Sequence, residues 1–358
     1  MSDNQDTMKI LIVGNGWNAH FNNKLKDFNN NFLIWLENYA SSVDEFDSFF
    51  DTVFNNFEDF KEKIFVIIKY FYKELIKYKE NLTENFTIES AIKLIGENYS
   101  RNVIKNKGDF NQENKNKDLF FSICKTLLGY YIEFSSKFDD QIAMWFENGI
   151  ENYQFESGSF ENLVNLGYDL IFTTNYNEIL KNFIYKWRRN SIYYDHFELR
   201  VINIHGKNEI NAENFIQRYS NIQINLEDKK ISTQLSFLKI PFENYWYNHS
   251  NNPSLKNLNI EIDLYGLSMN NDNHLIHSIC KDIALQFSSK FRILELGNIE
   301  LIINYFYFKQ NEMPNINYKI KKIVIKEINS SDVRNHELYK ITDEIIKKIK
   351  LDIEKNST

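Results

Sequence analysis

A chain of 358 residues, 43% hydrophobic, is long enough to bury one large core with a substantial insertion, or two domains. Its net charge of -7, with no long block of Lys or Arg, gives no sign of an electrostatic grip on nucleic acid, and two cysteines cannot build a four-thiolate zinc site. Cys124 and Cys280 both lie in apolar runs with helical patterning, which predicts a reducing, cytoplasmic setting without structural metal. The first residues, Met1 to Thr7, lack the charged and apolar regions of a signal peptide, and no apolar run approaches the ~20 residues of a membrane helix. The expectation is a soluble protein without a membrane partner.

Taken in order, Lys9 to Val13 is an aliphatic run closed by Gly14-Asn15-Gly16, and Leu25, Phe28, Phe32 and Leu36 follow at helical spacing. This reads as strand, glycine turn and helix. Such a turn lets backbone N–H groups approach a phosphate, and with Ala19 it fits the Gly-x-Gly-x-x-Gly/Ala fingerprint. It also fits a turn needed only to pack strand on helix. The ordinary dinucleotide fingerprint adds a second strand and an acidic residue about 20 positions on. Here a long helical pattern follows instead, which disfavours a hydride-transfer dehydrogenase.

From Asp44 to about Lys79, Phe46, Phe50, Val53, Phe57, Phe60, Ile64, Ile67 and Phe71 alternate four and three apart, the seam of a long helix packed on another helix. Phe120 to Tyr131 and Gln141 to Phe146 are further apolar helical faces, whereas Arg101 to Lys117 is polar and reads as a solvated loop. Residues 37–156 are therefore expected to form a helical insertion of antiparallel helices. Its aromatic stripe serves as core or as an oligomer interface.

Sheet signals resume with Asp169 to Phe172, which leads into Thr173-Thr174-Asn175-Tyr176-Asn177. A helix with Ile179, Leu180, Phe183 and Trp187 comes next, and the strand Leu199 to Ile204 ends at His205-Gly206. Short β-branched runs ending in compact polar residues are how buried parallel strands deliver side chains to a crevice at their carboxyl ends. Asn208 to about Leu258, with Tyr245, Trp246 and Tyr247, reads as loops and small helices able to roof that crevice. Asn259 to Tyr265 is a strand ending at Gly266, with a helix beginning near His274, and Asp272 either caps that helix or serves the site. His274 and His277 are expected at the surface. Glu300 to Phe308 and Tyr318 to Glu327 are the last strands, and Leu338, Ile341, Ile345 and Ile349 line a terminal helix. Four of the eleven glycines, Gly14, Gly16, Gly206 and Gly266, lie in loops after strands, where close approach of backbone to a nucleotide would use them.

These motifs, Gly14-Asn15-Gly16, Thr173 to Asn177, Ile204-His205-Gly206 and Tyr265-Gly266-Leu267-Ser268 with Asp272, resemble in order and spacing those of the bacteriophage abortive-infection AbiH family. More widely they resemble the sirtuin-like NAD-binding domains of bacterial defence proteins. Trp17, Asn18 and His20-Phe21 depart from the usual AbiH residues, and Asn177 stands where sirtuin-like domains often have Asp. The resemblance implies an α/β fold with a Rossmann-like, mostly parallel sheet, made of residues 8–36 and 157–312. The helical insertion interrupts it, and residues 313–358 add a strand and an amphipathic helix.

The resemblance further implies an antiphage effector that binds NAD and hydrolyses its nicotinamide–ribose bond, with no metal. Asn175 would hold a water or ribose hydroxyl and His205 would act as general base or orient that water. His205 alone would otherwise read as a satisfied core histidine. Gly14, Asn15 and Gly16 would cradle the pyrophosphate, and Thr174, Asn177, Gly206, Gly266, Ser268 and Asp272 would complete the cofactor site. The expected partners are NAD or a related dinucleotide, a homo-oligomer built through the insertion, and a phage-derived or protein trigger that releases an idle enzyme. The alternative is a non-catalytic nucleotide sensor acting through a partner.

Overall fold

A computed structural model describes residues 7–21, 25, 27–81, 87–104, 110–136, 168–177, 179–180, 201–206, 222, 259–267, 272, 274–279, 300–306, 322–328, 334–336, 338–340, 342–343, 346–347, 351 and 355. The chain divides into two compact units, the first comprising residues 1–22, 137–204 and 230–358 and the second residues 23–136 and 205–229.

The first unit is built on strands β1 (Thr7–Val13), β2 (Leu170–Thr173), β3 (Val201–Asn203), β4 (Asn259–Tyr265), β5 (Glu300–Phe306) and β6 (Lys322–Ile328). All pair in parallel, in the order β3-β2-β1-β4-β5-β6. Parallel strands at the centre of a sheet are covered on both faces and so carry continuous aliphatic runs. That is why Ile10, Leu11, Ile12 and Val13 of β1 are all fully buried. β4 instead alternates, with Ile260, Ile262 and Leu264 buried between half-buried Asn259, Glu261 and Asp263. This is an α/β fold with a Rossmann-like sheet, and every pairing among the described strands is parallel.

Helix α1 (Asn15–Phe21) follows β1 directly and stays in the first unit. The second unit holds α2 (Phe28–Ser41), α3 (Val43–Val53), a 3-10 helix (Asn55–Phe60), α4 (Lys61–Asn81), α5 (Ile88–Ile104) and α6 (Phe110–Ser136). The periodicity from Phe28 to Leu36 thus belongs to a separate helix, because Phe32 and Leu36 bury themselves among helical neighbours. The Phe32 ring lies 6.4 Å from Phe71 and 5.2 Å from Tyr131. Ser42 starts α3 by accepting from the Glu45 amide at 3.3 Å, with Asp44 and Glu45 placed favourably in its first turn.

The single long helix expected from Asp44 to Lys79 is broken. Phe54 and Phe57 leave helical geometry, with φ/ψ of -123/17 and -123/33. Phe54 turns inward to full burial while Phe57 is half-buried and Phe60 is exposed, so the four-three seam holds on either side of the break and not across it. The polar stretch Arg101 to Lys117 is also not one loop: α5 runs to Ile104 and α6 starts at Phe110, since polar residues suit a helix end as well as a loop. The expected helix at Gln141 to Phe146 and the roof at Asn208 to Leu258 lie outside the described residues, apart from Ile222.

Candidate functional site

Register sets the site. Val13, Thr173 and Asn203 are partners at the ends of β1, β2 and β3, and Val13 is likewise level with Tyr265 and Phe306. The loops beginning at Gly14, Thr174, Ile204 and Gly266 therefore leave the sheet from one edge. The order runs outward from β1 through β2 and β3 on one side and through β4, β5 and β6 on the other. The Gly14 and Gly266 loops flank that reversal, the place where open parallel sheets take their ligands.

The two glycine loops are in direct contact. Gly14 N–H donates to the Tyr265 carbonyl at 2.8 Å, Gly16 N–H to the Gly266 carbonyl at 2.9 Å and Trp17 N–H to the Gly14 carbonyl at 3.1 Å. A Cβ on Gly14 would stand 2.6 Å from the Gly266 carbonyl oxygen, and one on Gly266 2.9 Å from the Trp17 nitrogen. Gly266 also has φ of 67°, in the left-handed region. The close backbone approach that glycine permits is here an approach of one loop to the other. The Gly14 and Gly16 amides, expected to approach a phosphate, here both donate to carbonyls. Asn15 between them is exposed.

The loop after β2 is held from three strands. Thr173 Oγ1 donates to the Val13 carbonyl at 2.9 Å and accepts from the Asn175 amide at 3.1 Å, and Thr174 N–H donates to the same Val13 carbonyl at 3.0 Å. Asn175 is 6% exposed and donates through Nδ2 to the Gly14 carbonyl at 3.3 Å. Asn203 reaches across from β3, its Nδ2 donating to the Asn175 carbonyl at 2.8 Å and to the Asn177 carbonyl at 3.3 Å. Asn177 Oδ1 accepts from the Ile179 amide at 3.4 Å, which ends the loop and opens the next helix. Asn203 carries no motif in the sequence, and Thr173 stands there only as the first residue of the Thr173 to Asn177 motif. The signal was available, since each is a polar residue closing an apolar β-branched run.

The structure brings Gly14, Gly16, Thr174, Asn175, Asn177 and Gly266 together at this edge. Ile204 N–H donates to the Thr173 carbonyl at 2.8 Å, and His205, next in the chain, is buried at 1% exposure; Gly206 follows with φ of 86°. Both His205 and Gly206 group with the second unit. Asp272 is buried and already helical, ahead of the helical residues 274–279, and Ser268 lies outside the described residues. His274 is buried, not at the surface as expected, because it shares the inward side of that helix with Leu275 and Ser278. His20 stacks on Tyr339 with ring centroids 4.4 Å apart.

A second polar cluster, unforeseen in the sequence, lies within the sheet. Asp263 on β4 accepts from Tyr168 Oη, lies 3.4 Å from His336 Nε2, and accepts from Asn304 Nδ2 at 2.7 Å across the β4–β5 pair. Asn304 also donates to Glu261 at 2.9 Å. His336 Nδ1 accepts from the Leu338 amide at 3.1 Å, and its ring packs 4.8 Å from Tyr265 and 4.4 Å from Phe306. Burial pushes the Asp263 carboxyl up, yet the hydrogen bonds from His336, Tyr168 and Asn304 outweigh it and hold the group below the usual carboxylate range. The segment beyond β6 thereby grips the sheet, and it grips α1 as well, through Trp17 Nε1 donating to Thr342 Oγ1 at 3.1 Å.

The fold and site thus define an α/β protein with a Rossmann-like sheet, parallel throughout its described strands, and a set of polar groups at the strand ends. Compared with protein-family models, curated proteins and solved structures, the chain matches none. Among the described residues no helix is long and apolar enough to cross a membrane, and no three His, Cys, Asp or Glu side chains gather as a metal site.

Proposed function

We propose that the protein binds NAD at the carboxyl edge of its sheet and hydrolyses the nicotinamide–ribose bond, acting as a sirtuin-like antiphage effector of the abortive-infection type. The observation that carries the binding half is the strand order, with the Gly14 and Gly266 loops at its reversal and the Asn175 loop beside them. Cleaving that bond develops oxocarbenium character at the ribose, so the protein must orient the sugar and a water while keeping bulk solvent away. Asn175 suits the first task. With Nδ2 tied to the Gly14 carbonyl and its backbone held by Thr173 and Asn203, its amide has one orientation and its Oδ1 is left as an acceptor for a hydroxyl or water. His205 is the candidate base on the strength of its residue type and its place two positions beyond β3. NAD supplies the electrophilic anomeric carbon and the leaving nicotinamide.

The pyrophosphate finds its donors elsewhere than the Gly14 and Gly16 amides. We further propose that the resting enzyme is nearly idle until a trigger or an assembly of copies completes the site. Incubating purified protein with NAD and separating the products tests the reading. Nicotinamide and ADP-ribose in equal amounts are expected, and their loss in folded Asn175→Ala and His205→Ala proteins. Binding of NAD without any nicotinamide release, even in cells under phage infection, would favour the sensor; no binding of NAD, NADP or ADP-ribose at millimolar concentration would refute the reading.

A further inference from the structure

In α1, which follows the Gly14 loop directly, one side chain is left unused by the site as described. Asn18 is 1% exposed. Its Nδ2 donates to Asn15 Oδ1 at 3.4 Å, and its own Oδ1 is buried without a hydrogen-bond partner. A buried amide carbonyl that accepts nothing is costly and uncommon, and it marks a place where a donor belongs. The neighbouring groups say which donor. The amides of Gly14, Gly16 and Trp17 already donate to carbonyls, and the Asn175 side-chain nitrogen does the same, so these four donors are committed, whereas Asn18 Oδ1 is an acceptor still to be met. A phosphate, which brings only acceptors, gains nothing from Asn18 Oδ1; a sugar hydroxyl or an amide or amino N–H finds a partner in it.

We infer that Asn18 Oδ1 accepts a hydrogen bond from the nucleoside part of the bound dinucleotide, so that the loop after β1 reads sugar or base amide and not pyrophosphate. The inference rests on the dinucleotide reading above. Because Asn18 is so deeply buried, the donor reaches it only with a local opening around α1, and the bond then forms out of water, where it is strong.

Calorimetric titration of the full chain with NAD and with ADP-ribose tests it, using Asn18→Leu and, should leucine not be accommodated, Asn18→Ala. Each removes the acceptor. The expected result is an affinity for NAD about tenfold weaker than wild type, with the melting temperature of the ligand-free variant unchanged or raised because an unpaired carbonyl has gone. An equal loss for ADP-ribose assigns the donor to the part the two ligands share, a ribose hydroxyl or the adenine amino group, and a loss confined to NAD assigns it to the nicotinamide carboxamide. Wild-type affinity in both variants would overturn the inference, an internal water being then the partner of Asn18. So would weaker binding accompanied by a melting temperature several degrees lower, which marks a structural residue. Wild-type protein that binds neither ligand refutes the dinucleotide reading itself.

Discussion

Replacing Gly266 by Ala probes the contact on which the site is built. The new Cβ would lie 2.9 Å from the Trp17 nitrogen and 3.0 Å from the Gly16 Cα, both backbone atoms that no rotamer change can move aside. At φ of 67° an L-residue also costs ~1–2 kcal/mol relative to glycine. Relief of the overlap adds about 1–3 kcal/mol, as in other overpacked interiors. A unit of this size loses about 2–4 °C of melting temperature per kcal/mol, so a fall of roughly 5–15 °C is expected by differential scanning calorimetry. Gly14→Ala strikes the same contact from the opposite side, meeting the Gly266 carbonyl at 2.6 Å. Once either substitution has parted the loops the other has less to disturb, so the double variant should fall short of additivity by at least about 0.5 kcal/mol. A Gly266→Ala protein as stable as wild type, or strictly additive losses, would refute the view that these glycines exist for each other.

Asp263 governs an acid limb: its folded pKa is lowered, so its contribution is full above about pH 4–5, where the unfolded carboxyl is also ionised, and is lost as pH falls through the folded value. Denaturant titrations between pH 2.5 and 6 should show that limb in wild type and a shallower one in Asp263→Asn; identical slopes would contradict it. Asn203→Leu deletes two hydrogen bonds to the Asn175 loop and is expected to cost about 1–3 kcal/mol and to lower nicotinamide release more than NAD affinity, as separate kcat and KM measurements will reveal. In the helical unit, Phe54→Ala should cost ~3–5 kcal/mol as a cavity in a full core, whereas half-buried Phe57→Asp should cost under about 1 kcal/mol, and chemical denaturation that ranked them the other way would favour one unbroken helix.

Sequence alone determined the elements whose signal is local. β4 was legible from Asn259 to Tyr265, residue for residue, and β1, β2, β3, β5 and β6 within a few residues, because buried parallel strands must be aliphatic and must stop at polar or glycine residues. The placing of Gly14, Asn175 and Gly266 at strand ends followed from the same signal. What the glycines approach was decided only in three dimensions: the pattern that suits a phosphate also suits the Gly266 carbonyl, and nothing local distinguishes the two. The break at Phe54 and Phe57 was equally hidden, since periodicity counts apolar residues but does not register backbone angles, and Phe57 keeps the four-three spacing while its backbone leaves helical geometry. The Asp263, Tyr168, His336 and Asn304 cluster joins residues as much as 168 positions apart. Its members are unremarkable polar residues until β4 and β5 pair in register and the chain beyond β6 returns to cover them, and it is that pairing, a long-range event, which turns an isolated carboxylate into a half-buried one with several hydrogen-bond partners.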